Sequence, residues 1–364
     1  MKIAHVDAET GFSGGEVQVF LLIDGLARLG YEGAVFCPPG SRSEGEARRR
    51  GIPVHTIPMA NDLDLRAIAG LRLGLSRCRP DLVHLHTGRA TWLGGLAAWM
   101  LSLPAITTRR MDKPIGHGWR QRVTYGPLVA RAVAVSCAVR EALFAGGVAP
   151  GKVVLIHDAV DAREGECPSA DGALRTALGA SADAVVLLAI ASLHRRKGLD
   201  VLLDALARTK SRGIVLWIAG DGPERSSLEA QAKGLRCSEQ VRFLGFRRDV
   251  PSLLDACDVV VLPSRQEGLG VAALEGMAAR RPVVASRVGG LEEVVVDGRT
   301  GILVPREDPD RLAMAIDRLA DDPGLRQRLG GAGPARISEG FLASQMVSAY
   351  DELYRSVVEE RRTA

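Results

Sequence analysis

At 364 residues, with 46% hydrophobic and 25% charged side chains, the chain is globular in composition and long for a single core, so two domains of ordinary size are expected. Its 47 basic and 43 acidic residues leave a formal charge of +4, too balanced for a nucleic-acid partner recognised by bulk electrostatics. The excess lies before residue 166, with 20 basic against 15 acidic, a mild bias that favours an anionic membrane surface or an anionic substrate.

The opening Met-Lys-Ile-Ala-His-Val-Asp turns polar too soon for a secretory signal and reads as a first core strand, Lys2 to Val6. Glu16 to Gly30 has Val17, Phe20, Leu21, Leu26 and Leu29 near helical spacing and ends at a glycine. Ala34 to Cys37 is a strand, Glu44 to Arg50 a polar helix and Val54 to Ile57 a strand. Leu63 to Arg77 is a helix with outward arginines, followed after Pro80 by Leu82-Val-His-Leu-His86. Thr91 to Thr108 runs eighteen residues without a charge, long enough to raise a membrane span. Gly94, Gly95 and Pro104 favour instead a buried helix, Trp92 to Ser102, and a buried strand, Ala105 to Thr108. Ala132 to Val135 and Val153 to Ile156 are later strands.

Strands alternating with helices of this length predict a parallel sheet covered on both faces. Residues 162 to 183 are polar and weakly periodic and form the expected boundary between a domain at 1–165 and one at 166–341. The alternation then restarts: strand Val185 to Ala191, helix Gly198 to Thr209, strand Ile214 to Ala219, helix Arg225 to Lys233, strand Val241 to Leu244, helix Val250 to Ala256, strand Val259 to Leu262 and strand Val283 to Ala285. A closing helix within 342–362 carries Met346, Val347, Tyr350, Leu353, Tyr354 and Val357 at helical spacing and is expected to pack back on the body. Two doubly wound domains bind ligands outside the carboxyl ends of their strands, so an interdomain cleft is the expected site. Six cysteines (Cys37, Cys78, Cys137, Cys167, Cys237, Cys257) form no C-x-x-C, and no histidine group has zinc spacing. Neither a disulfide framework nor a metal site is indicated, and a reducing cytosol fits.

The stretch Ser264-Arg-Gln-Glu-Gly-Leu-Gly-Val-Ala-Ala-Leu-Glu275 follows an apolar strand and leads into a helix. A turn entering a helix offers unpaired N–H groups and the positive dipole end, suited to a phosphate. Glu267 lies before the helix and Glu275 about a turn and a half into it, so they are expected on different parts of one ligand. Glu267 as a helix cap beside a solvated Glu275 is the plainer alternative. Further strand-to-helix turns at His194-Arg-Arg-Lys-Gly198, Ala219-Gly-Asp-Gly-Pro-Glu224 and Ser286-Arg-Val-Gly-Gly-Leu-Glu-Glu293 point the same way. Taken singly, each is also explained as solvated cation or turn punctuation.

These residues resemble the family 4 retaining glycosyltransferases of GT-B fold over nearly the whole chain. The most specific element is the Glu-x7-Glu spacing of Glu267 and Glu275. Ser13-Gly-Gly-Glu16, Pro80-Asp-Leu-Val-His-Leu-His86, Val135-Ser-Cys-Ala-Val-Arg140, Leu155-Ile-His-Asp-Ala-Val-Asp161, Arg196-Lys-Gly198, Ala219-Gly-Asp-Gly-Pro223, Arg242-Phe-Leu-Gly245 and Arg287-Val-Gly-Gly-Leu-Glu-Glu293 follow in the family's order. The resemblance implies two Rossmann-like domains facing a central cleft, an acceptor-binding domain first and a donor-binding domain second. It implies transfer of a sugar from a nucleotide diphosphate sugar, with retention of configuration, no cofactor and no obligatory metal. Glu275 would hold the ribose hydroxyls and Glu267 a hydroxyl of the donor sugar, while backbone at Gly268, Leu269, Gly270 and Val271 would receive the diphosphate and sugar. Lys197 would neutralise the leaving diphosphate. Gly14 and Gly15 would admit donor and acceptor close to the backbone, with Gly222 also on the donor side and Glu16 on the acceptor side.

The chain departs from the family in two places. Ser192 stands where an arginine is usual, leaving Arg195 or Arg196 to supply that charge. A histidine usual after the strand ending Ile106-Thr-Thr is replaced by Arg109 and Arg110, either of which would bind an anionic acceptor or the diphosphate. His84 and His86 are further first-domain candidates, expected on opposite faces of their strand, with at least one a core histidine. Within Asp112 to Tyr125, Trp119, Arg120 and Arg122 are candidates for touching a lipid-linked or anionic acceptor, against a plain solvated loop. The expected setting is cell-envelope or polysaccharide synthesis, in the cytoplasm, with peripheral contact to the inner face of the membrane. A nucleotide-sugar epimerase and a non-catalytic nucleotide-sugar binder are the competing readings.

Overall fold

A computed structural model describes residues 1–11, 13–162 and 172–363. Residues 163–171 of the polar stretch read as a domain boundary, including the 165/166 division and Cys167, lie outside the described residues. The chain forms two compact units, one of residues 1–158 with 343–364 and one of residues 159–342.

The first unit is built on a parallel sheet of β1 (Lys2–Val6), β2 (Glu32–Cys37), β3 (Val54–Thr56), β4 (Leu82–Leu85), β5 (Ala105–Arg109), β6 (Arg131–Ala134) and β7 (Val153–Leu155), in the order β3-β2-β1-β4-β5-β6-β7. Its central strands are apolar because both faces are covered, and Ile3, Ala4, Leu82, Val83 and Ile106 are fully buried. The charge-free run from Thr91 to Thr108 divides between the helix Gly88–Met100 and β5. Among the described residues, no helix is long and apolar enough to cross a membrane.

The helix Ala343–Thr363 completes this first unit after the whole second unit has intervened. Met346, Val347, Tyr350, Leu353, Tyr354 and Val357 are all buried, so the apolar stripe predicted from helical spacing is the face that packs. Tyr31 Oη donates to Asp351, and Arg131 pairs with Glu360 at 2.6 Å.

The second unit carries β8 (Val185–Ile190), β9 (Ile214–Ala219), β10 (Val241–Gly245), β11 (Val259–Leu262), β12 (Val283–Ser286) and β13 (Gly301–Val304). They form a parallel sheet in the order β10-β9-β8-β11-β12-β13. In both sheets the order reverses direction once, between β1 and β4 and between β8 and β11. At such a switch point the connections on either side leave toward opposite sheet edges, which opens a crevice above the strand ends.

Candidate active site

In the second unit, β8 and β11 are neighbours in space although more than sixty residues separate them, so the loops that follow them meet. After β8 the chain makes the single turn Arg195–Lys197 and enters the helix Leu199–Leu206 through Gly198. Gly198 has φ of 65°, and a Cβ there would lie 2.0 Å from the carbonyl oxygen of Pro263, the first residue after β11. Glycine is thus required twice over, by the left-handed backbone and by the approach of the two loops.

This approach pairs the two best-marked side chains of the sequence. Lys197 Nζ donates to Glu267 Oε2 at 2.5 Å, and Ser264 Oγ donates to the same oxygen at 3.0 Å. Glu267 is 8% exposed. Burial alone would push its carboxyl up, but the charge and hydrogen bond of Lys197, the charge of Arg196 and the Ser264 hydroxyl hold it below the ordinary value. Glu267 therefore does not cap the following helix. That helix, Val271–Ala278, starts from Gly270 at φ of 101° and has no side-chain cap. Gly290 donates its N–H to the Glu267 carbonyl at 3.2 Å, and a Cβ on Gly290 would lie 2.4 Å from the Gly268 carbonyl oxygen, so the loop after β12 closes on the same turn.

Arg265, to which the sequence motif gave no role, fixes this geometry. Its guanidinium bonds both carboxylate oxygens of Asp200 at 2.7 Å, Glu307 at 2.8 Å and the Arg195 carbonyl at 2.8 Å. Its own N–H, with that of Gln266, donates to the Arg196 carbonyl at 2.8 and 3.3 Å. The loop carrying Lys197 and the loop carrying Glu267 are thus tied through main chain and side chain together. The other candidates of this unit stand at the same sheet edge. Ser192 is half-buried in the loop after β8, and Glu275 is half-buried on the helix Val271–Ala278. Gly222 packs under the Leu193 carbonyl oxygen, where a Cβ would come within 2.6 Å. Leu269 is buried, and Arg196 bonds no carboxylate among the described residues.

The first unit holds a buried polar network at the carboxyl ends of β1, β4 and β5. His84 and His86 do not lie on opposite faces. Side chains two positions apart project to the same side of a strand, and their rings are 3.9 Å apart between centroids. The β1–β4 register sets His5 opposite His84, so three histidines converge with ring nitrogens within 4.8 Å of one another, a cluster invisible to sequence spacing. His84 uses both ring nitrogens, Nδ1 with Tyr354 Oη and Nε2 with Thr108 Oγ1, each at 2.7 Å. His5 Nδ1 meets His86 Nε2 at 3.0 Å, while the buried Nδ1 of His86 has no hydrogen-bond partner among the described residues. Burial pushes His5 down to about 3 and holds His84 and His86 well below the ordinary value, so all three are neutral at pH 7. With nitrogens paired to hydroxyls and to one another beside a cationic Arg110, the cluster forms a hydrogen-bond network of the core.

Arg110 Nε donates to Asp158 at 3.0 and 3.2 Å. Burial works against its charge, yet Asp158, Tyr350 and Glu16 hold the guanidinium above its ordinary value. Arg109 donates to the Lys113 carbonyl. Gly14 and Gly15 open the helix Gly14–Arg28, which Ser13 and Glu16 cap reciprocally, and Gly15 packs against the Arg110 stem. Glu16 is buried, and so is Asp7, whose carboxyl is pushed up to about 7 by burial and by the neighbouring Glu16. Trp119 is 70% exposed, but Arg120 is occupied, bonding Asp62 at 2.7 Å and lying over the Trp92 ring at 4.9 Å.

Two family models match the chain, one described as Glycosyltransferase Family 4 over residues 12–164 and one as Glycosyl transferases group 1 over residues 184–322. The chain is 31% identical over 376 residues to the glycogen synthase of Mycobacterium tuberculosis, covering 90% of this chain and 87% of that protein. It is 36% identical over 182 residues to the lipopolysaccharide core biosynthesis glycosyltransferase LpsE of Rhizobium meliloti, covering 50% of this chain and 53% of that protein. The first of the curated relatives are matched over about half of their length. Among solved structures, Anabaena Alr3699/HepE in complex with UDP and glucose superposes with a TM-score of 0.87 at 24% identity, over 98% of this chain and all of that one.

Proposed function

The chain belongs to the family 4, group 1 glycosyltransferases of GT-B fold, and from that premise we propose that it moves a sugar from a nucleotide diphosphate sugar to a saccharide or lipid-linked acceptor with retention of configuration. The observation that carries this reading is the buried Lys197–Glu267 pair at the β8/β11 switch point. A carboxylate held ionised there accepts hydrogen bonds from a sugar hydroxyl, and Glu267 Oε1 bonds no described residue. The cations beside it, Lys197 and Arg196, neutralise the charge that grows on the departing diphosphate. Gly268, Gly270 and Val271 offer backbone N–H groups to the phosphates, Glu275 takes the ribose, and Gly222 and Ser192 line the same edge.

In this scheme the bond from the anomeric carbon to the diphosphate oxygen breaks as the acceptor oxygen attacks the same face. The acceptor proton passes to an oxygen of the leaving phosphate, so no side-chain nucleophile takes part. Fixed cations on the leaving group make a metal ion dispensable. The first unit presents the acceptor, with Gly14, Gly15 and Glu16 at one helix start and His86, Arg109 and Arg110 at the strand ends. Complexes of the Anabaena protein with UDP-glucose support a uridine nucleotide donor as the first to try, and the lipopolysaccharide and glycogen enzymes among the relatives support a cell-envelope or polysaccharide acceptor.

The test incubates purified protein with a panel of nucleotide sugars, with and without saccharide and lipid-linked acceptors. Nucleotide diphosphate release that depends on acceptor, with product of the donor's anomeric configuration by NMR, is expected, and it is expected to persist in EDTA. Interconversion of donors, an inverted product, or binding without turnover would each overturn the proposal.

A further inference from the structure

The outer face of the first unit carries an apolar surface that nothing among the described residues covers. The helix Leu65–Cys78 turns Ala67, Leu71, Leu75 and Cys78 into the core and leaves Leu65 76% and Leu73 52% exposed. The helix Gly88–Met100 ends in Trp99 and Met100, 58% and 52% exposed. Between the two helices runs an open groove lined by Leu65, Ile68, Ala69, Leu96 and Met100, with Arg72 at its edge. At the start of the first helix Leu63 is 85% exposed, and Asp62 just before it links through Arg120 to Trp119 and Trp92. Exposed leucine, methionine and tryptophan side chains that are contiguous in this way mark an interaction surface.

Charge identifies the occupant. From Asp62 to Met100 there are five arginines, at 66, 72, 77, 79 and 89, against three acids, of which Asp62 pairs with Arg89 and Arg120, Asp64 caps the helix Leu65–Cys78 and Asp81 accepts from the Lys2 N–H. Arg72, Arg77 and Arg79 make no ion pair among the described residues. A second copy of the same face would bring like charges together, which argues against self-association. We propose that this face docks on an anionic lipid bilayer, with Leu65, Met100 and Trp99 entering the interfacial layer and Arg72 and Arg77 meeting the head groups. The surface is separate from the Lys197–Glu267 site, and its occupancy does not depend on which sugar is transferred.

Co-sedimentation of the full chain with vesicles tests it. Vesicles of phosphatidylcholine with 30% phosphatidylglycerol are expected to pellet most of the protein, whereas pure phosphatidylcholine pellets little. Raising salt to 0.5 M should weaken the binding several-fold. Leu65→Ser with Met100→Ser, and separately Arg72→Gln with Arg77→Gln, should each lower the partition coefficient by about tenfold with circular dichroism and melting unchanged, since all four side chains are exposed. Met314→Ser, an exposed position of the second unit, should leave it unaltered. Absence of binding to anionic vesicles, equal binding to neutral ones, or insensitivity to both double variants would overturn the proposal. So would concentration-dependent dimerisation that Leu65→Ser with Met100→Ser abolishes, which would make the face a protein interface.

Discussion

Replacing Lys197 by methionine removes the cation from Glu267 while keeping most of the stem volume, and its consequence depends on pH. In the native protein the Glu267 carboxyl lies below its ordinary value of 4.5, despite burial, because Lys197, Arg196 and Ser264 favour the ionised form. A carboxylate whose folded value is depressed contributes stability that is present above its unfolded value and is lost as pH falls through the folded one. In Lys197→Met, burial is opposed only by Arg196 and the Ser264 hydroxyl, and the folded value moves above the unfolded one. The sign then reverses: the penalty is complete at high pH and is relieved as acid protonates Glu267. Both partners are largely buried, at 15% and 10% side-chain exposure, so removing one leaves a buried charge at a cost of about 3–5 kcal/mol. With Ser264 and Arg196 still in place, about 3 kcal/mol at pH 8 is expected, narrowing by roughly 1.4 kcal/mol per pH unit once protonation sets in. Urea unfolding read by pulse proteolysis, scoring peptides from 185–262, measures the gap between native and variant at pH 8 and pH 5. A gap that is constant across that range, or below about 1 kcal/mol throughout, would refute the coupling. Transfer activity should fall by about 10²–10³-fold in the same variant, the range for loss of one charge-stabilising group.

Other outcomes follow from the same geometry. Gly198→Ala places a Cβ 2.0 Å from the Pro263 carbonyl in left-handed backbone, so it should abolish donor binding in thermal-shift titrations and lower the melting temperature of the second unit. Arg265→Lys loses the bidentate grip on Asp200 and should reduce transfer by about tenfold, whereas an unchanged rate would show that the Lys197 turn holds itself. Tyr354→Phe strips the partner from buried His84 Nδ1 and should cost about 1–3 kcal/mol, read by calorimetry. Asp7, with a folded value near 7, penalises the first unit as pH rises from about 4 to 7 by roughly 1.4 kcal/mol per unit. Asp7→Asn should flatten that dependence in melts from pH 5 to 8, and an unaltered slope would show that Asp7 titrates normally.

Much of this was legible in the chain. Apolar runs at Ile3 to Val6, Leu187 to Ile190 and Val259 to Leu262 had to be buried strands, and glycine turns after them had to face one edge of a sheet. The spacing of Glu267 and Glu275 marked the site without its coordinates. What periodicity could not supply was adjacency between distant strands. Lys197 and Glu267, assigned separately to diphosphate and sugar, bond each other because β8 lies beside β11. His5 joins His84 because β1 lies beside β4, and no spacing rule links residues 79 apart. Arg265 sat inside the motif unremarked, since its value lies in Asp200 and the Arg195–Lys197 turn, both supplied by another loop. The strand Gly301–Val304 and the helices Pro309–Asp321 and Pro323–Gly331 are not predicted from the sequence, because the strand is only four residues long and no site motif marks this stretch.

The return of the helix Ala343–Thr363 to the first unit bears on synthesis as well as on packing. When the ribosome has made residues 1–158, the seven strands of the first sheet exist, but His84 Nδ1 and Thr108 Oγ1 still lack the hydroxyls of Tyr354 and Tyr350. The 184 residues of the second unit must be added before the helix that carries those tyrosines begins, and that unit is continuous in sequence and can close first. The nascent chain therefore carries an unfinished amino-terminal half, with an open seam beside Gly25 and Tyr31 where Val347 and Tyr354 later pack, while the second unit is being made. Seconds of exposure at the tunnel mouth make that seam the place for a chaperone to bind, and a stop codon just ahead of Ala343 a route to degradation rather than to a smaller enzyme.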